Sequence, residues 1–438
     1  SDSDKKDDGS DKKDGDKKPD GDSKDDKNKK DNADDKDSQK GDIQKPDDES
    51  EQVDHSDAAA DYASNIIAGN SVYLGELSSE YGISFDEEFE KTMDKIEADY
   101  KEFLDKPEDF LAENWQDVLA VYVMKYGQDA GIKMDKSCRD DLEQIFFLMN
   151  VRSNSAILRK LEKIQKEEVS ETEGRSAETE KAAEAEESTE TEKATDAEES
   201  TETEKAADAE ESTETKKVAE TDAKEYRALS VQDYIALYGA DEEQTAILEK
   251  YTSTKCRQLC AIVTASKGFV RSEAGSDVSE ERVSIVAAAC SLIGKVGYFW
   301  GGKSYAIGWD DSWGSPMTVS AEGSKSSGTV RSYGLDCSGF VAWSYYNGLG
   351  GKDAGIGNHT TTQWNASEMV DSQSAKPGDL VFYHPASAGD DNHVGIVVGV
   401  NDNGSLLVVH CSSSQNGVMT GEAWSAGFQY VRSPLGLE

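Results

Sequence analysis

Residues 334–340 read Gly334-Leu335-Asp336-Cys337-Ser338-Gly339-Phe340. Gly334 breaks the loop before it, and Asp336 is well placed to cap a helix that starts at Cys337. A cysteine in the first turn of a helix sits at the positive end of the macrodipole, which favours the reactive thiolate. Ser338 and Gly339 keep that turn uncrowded, so a substrate backbone can approach. Alone, a cysteine at a helix start is more often structural than chemical. Its meaning depends on what the rest of the chain brings to it.

Downstream, Asn392-His393-Val394-Gly395-Ile396 opens one β-rich run and Leu407-Val408-Val409-His410 closes another, with Asp402-Asn403-Gly404 between them as a tight turn. His393 and His410 are roughly equidistant from that turn, which predicts two imidazoles side by side on adjacent antiparallel strands. A helix-borne thiol facing such a pair is what a cysteine nucleophile needs: one histidine moves the proton and the other orients it. Cys411 follows His410, so strand alternation turns it to the opposite face, toward the core. His384, beside Pro385, reads as a surface turn.

Further motifs accompany these in order: Tyr298-Phe299-Trp300-Gly301-Gly302 before the cysteine and Lys376-Pro377-Gly378-Asp379-Leu380 before the histidines. Together they resemble the NlpC-type family of bacterial cell-wall cysteine peptidases, over about Val283 to Leu437. The resemblance implies an α+β, papain-like catalytic domain at 276–438. It implies Cys337 as nucleophile, His393 as general base and then acid, and His410 as the orienting third residue. It also places Tyr298 near the oxyanion, and Asp336, Ser338 and Trp300 along the substrate groove. Pro377-Gly378-Asp379 reads better as a structural turn. The implied substrate is the stem peptide of peptidoglycan, cut between D-γ-glutamyl and the diamino acid. An amidase or transpeptidase on the same fold, or a surface binding protein with a degenerate domain, remain as alternatives. No cofactor and no metal is implied.

The rest of the chain is organised around that domain. Of 438 residues 31% are charged, with a formal net charge of −42, which argues against a nucleic-acid partner. Residues 1–50 carry 19 acidic and 13 basic side chains and no aromatic; so little apolar surface predicts a disordered stalk over 1–55. Apolar positions three and four apart predict a small helical domain over 56–160, with one helix from Phe85 to Leu104, a second capped by Asn114, and a third from Ser137. A twelve-residue unit then repeats from Ala185, Ala197 and Ala209, inside an acidic spacer over 161–226. Apolar periodicity returns over 227–275, where further helices are expected either to complete the bundle, with the spacer looped out, or to form a separate helical piece. None of the six cysteines forms a CxxC pair.

Between Gly302 and Asp336 the chain is longer than a compact domain of this kind needs, and carries Trp309, Trp313, Met317 and Tyr333, either as a lid or groove wall or as a packed loop whose tryptophans fill a shallow core. That insertion and the Trp115-Gln116-Asp117-Val118-Leu119 helix resemble peptidases carried on conjugative elements of Gram-positive bacteria. For the helical domain three roles stay open: docking a cell-surface or conjugation-machinery partner, positioning the catalytic domain, or occluding its cleft. No run approaches the roughly 18–20 apolar residues that span a bilayer. A cell-wall or cell-surface location is expected, with any anchor upstream of Ser1.

Overall fold

The computed structural model describes residues 72–127, 131–167, 169 and 225–437. The expected stalk and the twelve-residue repeats lie outside these residues. The first part is helical. α1 (72–76) runs into a π-turn, Leu77–Tyr81, and a short strand β1 (Ile83–Phe85). Then come α2 (Phe89–Lys101), α3 (Trp115–Tyr126), β2 (Ile132–Met134), α4 (Arg139–Met149), β3 (Asn150–Arg152) and α5 (156–167). After the spacer follow β4 (Tyr226–Ala228), α6 (Val231–Tyr238), α7 (Glu242–Thr252), α8 (Thr254–Thr264) and α9 (Lys267–Ala274).

The helix expected from Phe85 begins four residues later. Phe85 ends β1, paired in parallel with Met134 of β2, and the Asp86 carboxylate accepts the Glu88 N–H at 3.0 Å to make the turn between strand and helix. From there Phe89, Met93, Ile96 and Tyr100 form the buried stripe. Asn114 precedes α3 but makes no side-chain cap. Its amide instead donates to Met149 O and Leu229 O, both at 3.0 Å, and its oxygen accepts from Asn150. Tertiary partners prevail over the local one, and Asn114 pins the junction of α4 and β3 to the start of the second helical half.

β3 and β4 pair antiparallel, Val151 opposite Arg227, so the chain on either side of the spacer meets in one ribbon. α6 and α7 each open with a capping box, Ser230 with Asp233 and Asp241 with Gln244. Both halves pack into one apolar core that continues into the C-terminal part.

There, α10 (Glu280–Ser291) and α11 (Cys337–Gly348) pack together against one face of a six-stranded antiparallel sheet. Its order is β11-β10-β9-β8-β12-β7, from β7 (Ser367–Met369), β8 (Leu380–Phe382), β9 (Val394–Val400), β10 (Leu406–Ser412), β11 (Gly417–Glu422) and β12 (Tyr430–Pro434). Three of these strands were expected; β7, β11 and β12 were not. A hairpin, β5 (Pro316–Thr318) with β6 (Val330–Ser332), occupies the insertion, and a short α12 (Thr360–Asn365) precedes β7. The helical part is fastened to the sheet by Tyr73 on Thr420 and by Gln258, whose amide donates to Val400 O at 3.2 Å. None of the described helices is long and apolar enough to cross a membrane.

The Lys376-Pro377-Gly378-Asp379 turn is built around a buried ion pair. Arg282 of α10 lies 2.8 Å from Asp379, with side chains 3% and 2% exposed. Arg282 also donates to Pro377 O and Ser433 Oγ, and Asp379 accepts the Lys376 N–H and the Ser433 hydroxyl. This network locks the first turn of α10 to β8 and β12.

Candidate active site

Asp336 caps α11 as its sequence position predicts, accepting the Gly339 N–H at 2.6 Å. The room around that turn, however, is filled by protein. A Cβ on Gly339 would lie 2.2 Å from Gly302 O, one on Gly302 2.2 Å from Gly334 O, and one on Gly334 2.0 Å from Gly297 O. The glycines of the two motifs interleave backbone against backbone. Asp336 N completes the seam by donating to Gly302 O at 3.1 Å. These glycines hold the Tyr298 loop against the first turn of α11, backbone on backbone.

Cys337 is 7% exposed, and the backbone N–H groups of Ser338 and Val394 are directed at its sulfur. The Val394 contact brings the thiol to the N-terminal end of β9, one residue from His393. His393 Nε2 and His410 Nδ1 are 2.8 Å apart. The two histidines are not directly opposite. Val409 pairs with Ile396, and a register shift lies between Leu407 and Val408. Continuing that register sets His410 across from Gly395, where a Cβ would come 3.1 Å from His410 Cβ. His393 is therefore a diagonal neighbour on the same face, and the missing side chain at Gly395 lets the rings meet.

Two aromatic rings that sequence reading missed enclose the pair. Phe428 lies 5.4 Å from His393 at an interplanar angle of 20° and edge-on to His410, and Tyr383 sits 4.8 Å from His393. Phe428 comes from the irregular turn before β12, where no periodicity marks it. Burial in this cage holds His393 down at about 3, helped by His410, and His410 at about 4. Both rings are neutral at neutral pH.

The thiol departs from the expectation of an acidified cysteine. Burial, then the Asp336 carboxylate, push Cys337 up to about 12; the Val394 N–H, Lys303 and the Ser338 N–H act in the other direction but do not prevail. The helix terminus is real, yet its cap is an anion beside the sulfur. Lys303 was also missed in the sequence. Its ammonium lies 2.6 and 2.7 Å from the two Asp336 oxygens and 2.8 Å from Ser338 Oγ.

Tyr298 stays protonated, its phenol raised by burial and by the neighbouring Cys337 and Asp336. Trp300 is engaged elsewhere: its indole N–H donates to Glu322 O at 2.8 Å in the insertion. The insertion is anchored by Trp313, 5% exposed, stacked edge-on against Trp343 of α11 and Trp309. Tyr305, Ile307, Trp309 and Met317 remain exposed on it. Cys411 faces the core and donates to Leu335 O, and Asn392 ties the His384 turn to the start of β9. Among the described residues no group of three or more His, Cys, Asp and Glu side chains is gathered to hold a metal.

Residues 295–431 match the NlpC/P60 family. Among solved structures, the peptidoglycan hydrolase RipB from Mycobacterium tuberculosis is 29% identical over 35% of this chain and 64% of that one, with a TM-score of 0.25. The chain thus spans under two thirds of RipB. The NlpC/p60 domain of the peptidoglycan hydrolase SagA is 26% identical over 35% of this chain and 97% of that one, with a TM-score of 0.24. RipD from Mycobacterium tuberculosis, a non-catalytic NlpC/p60 domain protein adapted to peptidoglycan binding, is 19% identical over 35% and 98%, with a TM-score of 0.25. Comparison with curated proteins finds no match. Residues 295–431 of this chain are a domain of the NlpC/P60 family.

Proposed function

We propose that this domain is a cysteine endopeptidase that cuts the stem peptides of peptidoglycan at the bond between D-γ-glutamate and the diamino acid. The observation that carries the reading is an imidazole pair, nitrogens 2.8 Å apart, at the end of the strand whose Val394 N–H is directed at the Cys337 sulfur. A domain given over to binding alone has no need to keep Cys337, His393 and His410 together.

The geometry supports a particular proton route. In this route His393 holds its proton on Nε2, shared with Nδ1 of a neutral His410 2.8 Å away, and takes the thiol proton on Nδ1. The resting pair is neutral. Substrate entry displaces water from the groove, the Cys337 proton passes to His393 Nδ1, and the sulfur attacks the amide carbonyl. His410 remains an acceptor throughout, because burial keeps it unprotonated, and so steadies the imidazolium. The Cys337 backbone N–H and the Tyr298 hydroxyl stand as donors for the oxyanion. His393 then protonates the departing amine and activates the water that releases the acyl group. The site of action is the cell wall.

Digestion of defined wall fragments, read by mass spectrometry, tests this. Wild type is expected to release products split after D-glutamate, and Cys337→Ala none. Cleavage that persists in Cys337→Ala, or products from the glycan–peptide amide bond, would reject it.

A further inference from the structure

The ionisable groups that act on the Cys337 sulfur are Asp336 on its own helix, Lys303 and Tyr298 from the preceding loop, Tyr383 beside β8 and Cys411 from β10, with His393 one residue from the Val394 N–H that meets it. Of these, Lys303 alone has a basic amine side chain. Its ammonium has three protons, and three oxygens surround it: both of Asp336 and the Ser338 hydroxyl, at 2.6, 2.7 and 2.8 Å. Ser338 Oγ closes the ring by donating to Asp336 Oδ1 at 3.0 Å. The ion pair is sheltered, with side chains 18% and 10% exposed, so water screens it far less than a surface pair. Its position is fixed from below, because Lys303 follows Gly302 in the glycine seam and the Lys303 carbonyl accepts the Tyr333 hydroxyl at 2.6 Å.

We propose that Lys303 is a positioning residue for the reaction: it neutralises the Asp336 helix cap, so that the negative charge of the attacking sulfur develops beside a balanced ion pair instead of a bare carboxylate. The sequence needs Asp336 to start α11, and a carboxylate next to a nascent thiolate is the electrostatic cost of that cap. Asp336 raises the thiol and Lys303 lowers it, which are the two signs the proposal requires. The inference rests on Cys337 being the nucleophile proposed above.

Alkylation of Cys337 by iodoacetamide in the full chain, followed peptide by peptide in mass spectra from pH 6 to 9, reads thiolate formation without any substrate. Failure of the peptidase reading therefore leaves this measurement standing. Lys303→Met is expected to slow labelling about tenfold at fixed pH, equivalent to about one pH unit. Lys303→Arg should restore it to within about threefold. The double variant Lys303→Met/Asp336→Asn should label faster than Lys303→Met alone, because both charges are gone. If Lys303→Met does not fold, Asp336→Asn reads the same balance from the other side and should speed labelling. Unchanged labelling in Lys303→Met, a double variant no faster than the single one, or unchanged labelling in Asp336→Asn overturns the proposal.

Discussion

Replacing Asp379 by alanine should destabilise the NlpC/P60 domain by about 4 kcal/mol without altering the reactivity of Cys337. The substitution leaves the Arg282 guanidinium, 3% exposed, without the carboxylate 2.8 Å away. An uncompensated buried charge costs about 3–5 kcal/mol. The Pro377 carbonyl and the Ser433 hydroxyl still accept from Arg282, which places the loss toward the lower end, near 3. The Lys376 N–H, bonded to Asp379 Oδ2 at 2.9 Å, loses its acceptor and adds about 1 kcal/mol. Urea unfolding followed by tryptophan fluorescence, with Trp343 and Trp364 nearby as reporters, measures the difference. Iodoacetamide labelling of Cys337 at low temperature, where both proteins are folded, should match wild type. Asp379→Asn, which keeps the acceptor and drops the charge, should fall between the two. A variant within about 1 kcal/mol of wild type, yet slower than tenfold in labelling or cleavage, would refute the structural reading of this turn.

The histidine pair predicts the acid limb of stability. Both rings fall from the ordinary 6.5, to about 3 and about 4, so below pH 6.5 the unfolded chain takes up protons that the folded one refuses. Stability should decline as pH drops from 6.5 toward 4, by up to about 1.4 kcal/mol per pH unit for each histidine; His410→Gln should make the decline shallower in acid unfolding curves, and an unchanged slope would contradict the buried neutral pair. Phe428→Ala opens the cage over both rings; a loss of about 3 kcal/mol is expected, with both histidine titrations, read by NMR, moving up toward 6.5. Gly339→Ala drives a Cβ to 2.2 Å from a backbone oxygen and should abolish folding of the nucleophile turn or cost more than about 3 kcal/mol. Gly404→Ala, at a turn with φ of 78° and nothing within 4 Å, should cost only about 1 kcal/mol in the same urea assay.

What could be read in the sequence follows the range of the forces involved. The Asp336 cap and the start of α11 were legible because capping is settled within four residues. The sheet strands β8, β9 and β10 were legible as apolar runs, and the turn at 402–404 between the last two is local. The pairing of His393 with His410 was legible only as proximity: the register shift after Leu407 turns a direct pair into a diagonal one, and nothing in the residues announces it. Asn114 was misread as a cap because its best partners, Met149 O and Leu229 O, are far along the chain. Phe85 has helical spacing with Phe89, yet pairing with Met134 of β2 takes it into a strand. Lys303 and Phe428 lie on irregular segments, where a cation or a ring carries no periodic signal, and the acidified cysteine expected from the helix dipole gave way to burial and to the charge of the cap itself.

The ribbon of β3 and β4 has a bearing on how this protein can change over generations. Arg152 and Tyr226 are paired neighbours, so whatever lies between them begins and ends at almost the same point in space. Lengthening a connection whose two ends are held together costs only about 0.6 kcal/mol for each doubling of its length. Copies of the twelve-residue unit can therefore be gained or lost by slippage during replication while the helical part keeps its seat on the sheet. Repeat number at this point is close to free for selection to adjust, and chains that differ in it should unfold at the same urea concentration.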